Sequence, residues 1–349
     1  MNKWLFIVVC AALQAASLPG SATELVYASP YGPGHTFSLA DKTWMKWVEH
    51  QSNGALRIRA VWSGALISSD QSMLELRHGV ADIGLITPIY ARGGAHLLRE
   101  QTAFYSGAKT SEQQVAMYRC LAAAFPEYSH ELNGLKVLAV QGGTMPGILT
   151  RTRPIHTLSD LQGMRVRVPT EVLTVLRDLG ADPVTMPMGD VYSDLAKGVL
   201  DGVVAPADAL KSLHFGEVAT HFTELEVPRG AYPARAMGLS RWNSLSAEER
   251  SILTESIPVW EAALSRETQA SVLSGMAVGR AQHVEFIPVS AQEQRRFDEL
   301  YDRDVERSAR ALERVGIDGT SVFNYARRIA EGIRRSGRVT CPESADATS

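Results

Sequence analysis

Apolar and polar residues alternate with two different periods along the first hundred positions. Short apolar runs are followed by longer segments in which apolar residues recur every three to four positions, the spacing of an amphipathic helix. Asn53-Gly54 and Gly79 follow two of these segments, and such residues commonly end helices. The pattern predicts strands at residues 24–29, 56–62 and 83–86 and helices at residues 35–51 and 71–78. This order favours a parallel sheet covered by helices.

The same alternation returns in the middle of the chain. After a predicted helix and strand, Gly142-Gly143 marks a break at which we expect the chain to cross into a second domain. The predicted strands are 135–140, 164–168, 184–186 and 203–204, and the predicted helices are 110–132, 171–179 and 191–197. The second domain should therefore have the same architecture as the first.

The C-terminal third is predicted to be mainly helical. Ser246 and Glu249 have the spacing of a capping box, which opens a helix expected to reach residue 283 with a kink at Pro258. Ser290 and Glu293 open a second helix in the same way. The predicted elements are a strand at 236–240 and helices at 246–283, 290–315 and 321–336.

The N-terminus has the three-part layout of a secretory signal peptide. Lys3 precedes an apolar run at residues 4–16, and Gly20-Ser21-Ala22 places small residues where cleavage would occur. The apolar run is short for a membrane span, although an N-terminal anchor helix is the alternative. We expect residues 1–22 to be removed and the mature protein to be periplasmic.

Charge and length narrow the classes of partner and fold. The 349 residues carry a formal charge of -3, and loss of Lys3 with the signal peptide changes it to -4 (-3 - 1). That charge gives no reason to expect nucleic acid or an anionic membrane as a partner. The mature length exceeds what one compact core usually holds, so we expect two domains.

Two cysteines, Cys120 and Cys341, remain after the signal peptide. An oxidising compartment would let them pair as a disulfide, and two separate thiols are the alternative. No spacing of Cys and His residues resembles a zinc site, so we expect no metal and no cofactor.

Three ordered motifs in the centre of the chain carry a family resemblance. They are DLQGMRVRVP at residues 160–169, GADPVTMPMGDVYSDL at 180–195 and GVLDG at 198–202. Together they resemble the central signature of the solute-binding proteins of TRAP transporters, the DctP-type family. The resemblance extends over nearly the whole mature chain.

The resemblance implies an α/β, type II-like periplasmic binding protein fold. Two domains of mixed sheets flanked by helices would be joined by crossing strands and a long kinked helix, with the ligand cleft between them. We place domain I at residues 23–146 and 237–278, and domain II at 147–236 and 279–349. The resemblance further implies an organic acid as ligand, small and large TRAP membrane subunits as partners, and a monomer.

By the motif, Arg167 matches the arginine that grips the ligand carboxylate in this family. A guanidinium presents a planar fork that can bind both carboxylate oxygens at once. Arg165 lies two residues away on the same predicted strand, but the motif assigns the site to Arg167. A structural ion pair is the alternative for Arg167.

Two departures from the family pattern concern the polarity of the pocket. Ala205 stands where relatives often have an asparagine that helps to hold the ligand, and Pro146 and Gly147 lie at about the place of a second arginine. We therefore expect a pocket short of hydrogen-bond donors. An aromatic or short aliphatic monocarboxylate would suit it better than a sugar acid.

Further candidate contacts follow predicted strands, because ligands of open sheets collect at the carboxyl ends of strands. Each has an alternative: His35 as a helix cap, Trp62 as core, Tyr90 on the surface and Asp208 as an exposed helix residue. These candidates are His35, Trp62, Ser63, Thr87, Tyr90 and Asp208.

The sequence offers no catalytic constellation. It lacks a G-x-S-x-G elbow, an H-E-x-x-H motif and a phosphate loop ending in Gly-Lys-Ser/Thr. We therefore expect a binding protein rather than an enzyme. A secreted hydrolase, or a binding protein that serves a sensor or another transporter class, remains as the alternative.

Overall fold

The computed structural model describes residues 22–91 and 93–343. The predicted signal peptide lies outside these residues, apart from Ala22. No helix in the described ranges is long and apolar enough to cross a membrane.

Eleven strands and twelve α-helices alternate along the described residues, joined by short 3-10 turns. The strands are β1 Thr23–Ala28, β2 Leu56–Val61, β3 Ile83–Leu85, β4 Leu135–Gln141, β5 Gly147–Thr150, β6 Arg165–Arg167, β7 Asp182–Val184, β8 Gly202–Ala205, β9 His221–Thr223, β10 Tyr232–Gly238 and β11 Glu285–Ile287. The helices are α1 Thr36–Gln51, α2 Ser72–Arg77, α3 His96–Glu100, α4 Ser111–Ala124, α5 Glu127–Glu131, α6 Leu173–Asp178, α7 Val191–Lys197, α8 Ala209–Ser212, α9 Leu239–Ser244, α10 Ala247–Ala281, α11 Ala291–Ala311 and α12 Gly319–Ser336.

The strands form two mixed sheets. The first has the order β2-β1-β3-β10-β4, and the second has the order β11-β9-β5-β8-β6-β7. In the first sheet β1 is parallel to β2 and β3, whereas β10 is antiparallel to both β3 and β4. In the second sheet β5 is antiparallel to β8 and β9. The expected α/β fold of mixed sheets flanked by helices is confirmed.

The chain passes between the two sheets three times. Residues 142–146 lead from β4 in the first sheet to β5 in the second, and residues 224–231 return from β9 to β10. The long helix α10 follows β10 and precedes β11 of the second sheet. The break at Gly142-Gly143 is thus the first crossing. The predicted domain boundaries stay a prediction.

The helix α10 begins as its sequence indicates. The Ser246 side chain accepts a hydrogen bond from the Glu249 amide, and the Glu249 carboxylate accepts one from the Ser246 amide, so the capping box is complete. Pro258 lies inside this 35-residue helix. At Ser290 only half of the predicted box forms, because the Glu293 carboxylate accepts from the Leu158 amide instead.

Several predicted elements are wrong in their bounds. The helix predicted at residues 110–132 is broken at Phe125, which is extended, because proline at position 126 disfavours a helical conformation in the residue before it. The strand predicted at residues 236–240 is β10, which begins earlier, and helix α9 follows it at once. The strand predicted at 184–186 is β7, and β5, β9 and β11 were not predicted.

A disulfide joins Cys120 on α4 to Cys341 in the C-terminal segment, with the two Cα atoms 5.3 Å apart. The bond closes a loop with a sequence separation of 221 residues. It therefore fixes the segment after α12 against helix α4, which lies between β3 and β4 in the chain.

The core on one face of the first sheet contains a buried polar network. Arg235 on β10 and Asp41 on α1 form an ion pair at 2.9 Å with both side chains fully buried. Asp41 also accepts hydrogen bonds from the Tyr27 hydroxyl at 2.5 Å and from the Trp260 indole at 2.8 Å. The network ties β1, β10, α1 and α10 together.

Candidate ligand-binding cavity

A narrow cavity of about 100 Å³ lies between the two sheets, next to both strand crossings. Its wall is drawn from β3 and α1 on one side, from β6 and β8 on the other, and from the crossings themselves. The residues that line it are Tyr31, His35, Phe37, Thr87, Ile89, Tyr90, Thr102, Pro146, Arg167, Pro169, Glu171, Met188, Val204, Pro206, Asp208, Ala209, Ser212, Leu213, Arg229, Gly230, Tyr232 and Thr268.

Arg167 ends strand β6 at the wall of this cavity, and only 1% of its surface is exposed. Its guanidinium donates to the Tyr90 hydroxyl at 2.6 Å and to the Met186 carbonyl at 3.0 Å. Among the described residues, no carboxylate forms an ion pair with it, and no hydrogen bond of its Nη1 is present. The hydrogen-bond partners of Arg167 are therefore neutral. The structural ion pair that the sequence left open for this residue is not present among the described residues.

A second guanidinium reaches the cavity from the chain crossing at residues 224–231. It belongs to Arg229, for which no hydrogen bond or ion pair occurs within the described ranges. Gly143 in the other crossing makes room for it, because a Cβ there would lie 2.5 Å from the Arg229 Cζ. Pro146 and Gly147 leave no arginine at the place where the family has one, but a different arginine, about eighty residues further along the chain, lines this cavity.

Two carboxyl groups line the same cavity. Asp208 is 6% exposed, and its Oδ2 accepts hydrogen bonds from the Ser212 hydroxyl at 3.2 Å and the Thr36 hydroxyl at 3.4 Å. Burial raises the pKa of Asp208 to about 6, although Arg229 partly offsets the shift. Burial also raises the pKa of Glu171. Asp208 is thus a buried residue, whereas the alternative reading of the sequence made it an exposed helix residue.

Aromatic rings form one wall of the cavity. The Tyr31 and His35 rings are stacked with centroids 4.0 Å apart, and Phe37 meets His35 edge-on at 4.9 Å. His35 also caps α1, because its Nδ1 accepts from the Phe37 amide at 3.2 Å. Burial, with a smaller contribution from Arg235, lowers the pKa of His35 to about 3, so the ring is neutral near pH 7. His35 thus caps the helix and also lines the cavity.

Not all the predicted contacts come together. Thr87 and Tyr90 line the cavity with Arg167, His35 and Asp208. Trp62 instead packs edge-on against Tyr27 at 5.5 Å, beside the core of the first sheet, as its alternative proposed.

Two further predicted contacts also lie elsewhere. Ala205 is fully buried in β8 among apolar side chains, whereas its neighbours Val204 and Pro206 line the cavity. Ser63 is exposed and borders a second, wider cleft.

This wider cleft has a volume of about 1120 Å³ and adjoins the cavity. Five residues line both spaces, so they stand between the buried cavity and the more open cleft: Tyr31, His35, Asp208, Ser212 and Leu213.

Sequence reasoning missed Tyr31, Glu171 and Arg229. Tyr31 and Glu171 follow β1 and β6, so the rule that selected His35 and Thr87 from strand ends would also have found them. Arg229 lies between Pro228 and Gly230 in an irregular segment, and no local pattern distinguishes it from a surface arginine.

Curated relatives share part of this sequence. A solute-binding protein of Roseobacter denitrificans is 33% identical over 112 residues, which cover 32% of this chain and 34% of the relative. A monocarboxylate 2-oxoacid-binding periplasmic protein of Nostoc is 26% identical over 273 residues, which cover 76% of this chain and 72% of the relative. The match thus spans about a third of the first relative's length and nearly three quarters of the second.

A solved structure has the same fold. A TRAP solute binding protein from Rhodoferax ferrireducens T118, in complex with copurified benzoate, aligns with a TM-score of 0.80 at 23% identity. The alignment covers 91% of this chain and all of that one.

The family model for bacterial extracellular solute-binding proteins, family 7, matches residues 28–311. That range includes both sheets except for the first residues of β1, as well as the cavity and the long helix. The central motifs, the two mixed sheets and this match agree, and the chain belongs to the DctP family of TRAP-type extracellular solute-binding proteins.

Proposed function

We propose that this protein is the extracytoplasmic subunit of a TRAP transporter and that it captures a small organic acid in the cavity beside Arg167. The captured acid would then pass to a small and a large membrane subunit. The protein would act in the periplasm after removal of residues 1–22, and it would bind and release its ligand without chemical change.

The observation that carries this proposal is the state of Arg167. A guanidinium that is 99% buried needs a counter-charge, since desolvation of an unpaired charge is expensive. Tyr90 and Met186 supply only neutral acceptors, and the Glu171 carboxyl in the same cavity interacts with Arg167 only beyond ion-pair distance. A ligand carboxylate would supply the missing charge and accept from the guanidinium in the two-pronged geometry that arginine favours.

The remainder of the wall suggests the shape of the ligand. Tyr31 and Phe37 offer aromatic faces, and Met188, Val204 and Leu213 add apolar surface. A flat or short apolar body could pack there while its carboxylate reaches Arg167. The benzoate copurified with the Rhodoferax protein and the 2-oxoacid named for the Nostoc relative belong to this class of small monocarboxylates.

The first experiment is a native mass spectrum of the purified mature protein, followed by denaturation to release and identify any bound small molecule. We expect a co-purified carboxylate of low mass. An empty protein would next be screened by thermal shift against benzoate, mandelate, pyruvate, lactate, galacturonate and sialic acid.

Arg167→Lys, purified in parallel, is the matched variant, because lysine keeps the charge but loses the planar fork. We expect it to carry less of the same acid. Stabilisation by sugar acids alone would overturn the proposed ligand class, and stabilisation by no acid would contradict the function.

A further inference from the structure

Asp208 has an acceptor that the protein does not use. Its Oδ1 is buried and has no hydrogen-bond partner among the described residues, whereas Oδ2 accepts from Ser212 and Thr36. A buried carboxylate oxygen left without a donor is costly, so its persistence in a cavity wall points to a donor that arrives with a ligand.

The surroundings of Asp208 hold it firmly in this position. Thr36 belongs to α1, which packs on the first sheet, whereas Asp208 follows β8 of the second sheet, so both sides of the cleft contact the carboxyl group. The long helix supports the same segment through Gly275. A Cβ at Gly275 would lie 2.3 Å from the Ala207 carbonyl and 2.7 Å from the Asp208 Cα.

Asp208 and Arg167 occupy different parts of the site. Asp208 lines both the cavity and the wider cleft, whereas Arg167 lines the cavity but not the cleft. A ligand whose carboxylate lies at Arg167 would therefore present another part of its body to Asp208.

The cavity also has more charge than a plain monocarboxylate requires. Two guanidinium groups, Arg167 and Arg229, face two carboxyl groups, Glu171 and Asp208. One ligand carboxylate can satisfy the arginines but offers nothing to the acids. A ligand that carries both a carboxylate and a hydrogen-bond donor would match both sets of groups.

We propose that Asp208 determines specificity by accepting a hydrogen bond from a hydroxyl or amino group of the ligand, so that the preferred substrate is a hydroxy acid or an amino acid rather than an unsubstituted monocarboxylate. This inference rests on the proposed function, because it assumes that Arg167 holds the carboxylate. The inference adds a hydrogen-bond donor to the aromatic or short aliphatic ligand of the proposed function.

The test uses sets of acids that share one skeleton. Phenylacetate, mandelate and phenylglycine carry hydrogen, hydroxyl and amino groups on the same carbon, and propionate, lactate and alanine repeat the series on a smaller skeleton. Benzoate and 3-hydroxybenzoate place the hydroxyl further from the carboxylate. Dissociation constants are measured by calorimetry on the full mature protein at pH 8, where Asp208 is ionised.

The expected result is that at least one donor-bearing acid binds about tenfold or more tightly than its unsubstituted parent. In Asp208→Ala that ratio should fall below about threefold. Asp190→Ala is the control, because Asp190 is an exposed carboxylate of the same sheet region that lines neither the cavity nor the cleft. Its ratio should match that of the unaltered protein.

Asp208→Asn keeps the side-chain volume and serves if the alanine variant does not fold. It also separates the two donor classes: loss of the charge should reduce a preference for an amino acid strongly and a preference for a hydroxy acid less. Equal binding of parents and donor-bearing acids, or a ratio that survives in both Asp208 variants, would overturn the role of Asp208. Binding of the parent acids in that case would leave the proposed function standing, and failure of every acid to bind would contradict both.

Discussion

Two arginines of this protein are almost completely inaccessible, and their partners differ. Arg235 in the core of the first sheet pairs with Asp41 at 2.9 Å and donates to the Gln141 amide oxygen at 2.9 Å. Arg167 in the cavity has a tyrosine hydroxyl and a carbonyl instead. Burial tends to lower the pKa of Arg235, but Asp41 more than compensates and raises it.

The comparison separates a charge that is paired within the protein from one to which the proposed function gives a ligand carboxylate as partner. The protein supplies the counter-ion of Arg235, so that residue stabilises the fold with or without ligand. No carboxylate of the described residues lies within ion-pair distance of Arg167, and burial favours the neutral form of Glu171, which interacts with it at longer range, so the burial of Arg167 favours the capture of an anion. Burial alone therefore does not reveal the role of an arginine, whereas its set of partners does.

The largest expected effect is on the structural arginine. Arg235→Met would leave Asp41 buried without its cation, and we expect the free energy of unfolding to fall by about 3–5 kcal/mol. Urea denaturation of the ligand-free protein followed by circular dichroism would measure the loss. Arg241→Met is the control, because Arg241 pairs with Asp82 at 2.9 Å nearer to solvent and should lose about 1 kcal/mol or less. A similar small loss for Arg235→Met would show that the network does not stabilise the core.

A smaller effect should come from Asp208, with a size that depends on pH. Its pKa is raised from 3.8 to about 6 in the folded protein, so the folded state binds the proton more tightly than the unfolded state. The contribution of Asp208 to stability is therefore complete below pH 4 and is lost as the pH rises through 6. Asparagine does not titrate. As the pH rises from 4 to 8, the free energy of unfolding of Asp208→Asn should therefore increase by about 3 kcal/mol relative to that of the unaltered protein.

Thermal or urea unfolding of both proteins at pH 4 and pH 8 checks this prediction. His35, whose pKa is lowered to about 3, titrates in the opposite sense over the same range, but it is present in both proteins and cancels in the difference. A difference between the proteins that does not change with pH would show that Asp208 is not buried in the apo protein.

The smallest effect concerns the second cavity arginine. Gly143→Ala would place a methyl group against the Arg229 guanidinium and move it, and we expect ligand affinity to fall by about tenfold while the fold persists. Calorimetric titration with the best acid of the screen measures the change. Gly332→Ala is the control, because an added Cβ there meets nothing within 4 Å and Gly332 lines neither the cavity nor the cleft; it should retain the affinity of the unaltered protein. Equal ligand affinities of the two variants would show that Arg229 does not contribute to ligand binding.

The sequence predicted the overall architecture better than the site. The strand–helix alternation and the family motifs indicated two mixed sheets, and both sheets are present. The strands β5, β9 and β11 contain three or four residues each, too few to show a period, and no family motif marks them as motifs mark the equally short β6 and β7. The break between α4 and α5 was missed although Pro126 marks it.

Four of the six candidates selected at strand ends line the cavity: His35, Thr87, Tyr90 and Asp208. Arg167, which the family motif assigned, lines it as well. Their contact with a ligand stays a prediction. The prediction for Trp62 was wrong because a tryptophan at a strand end can also pack against the core, as Trp62 does beside Tyr27. Arg229 lies in an irregular crossing, and its approach depends on a glycine far away in sequence, which a local pattern cannot show.

The central claim is that Arg167 binds the ligand and is not a structural charge. Arg167→Met tests it most directly, with ligand affinity measured by calorimetry and the stability of the ligand-free protein measured by urea denaturation. Arg165→Met is the control, since Arg165 is exposed on the same strand and lies 3.8 Å from Asp182. The account predicts a loss of affinity of about 100-fold for Arg167→Met with unfolding free energy unchanged or higher, and neither change for Arg165→Met. Full affinity in Arg167→Met, or a loss of stability as large as that of Arg235→Met, would contradict it.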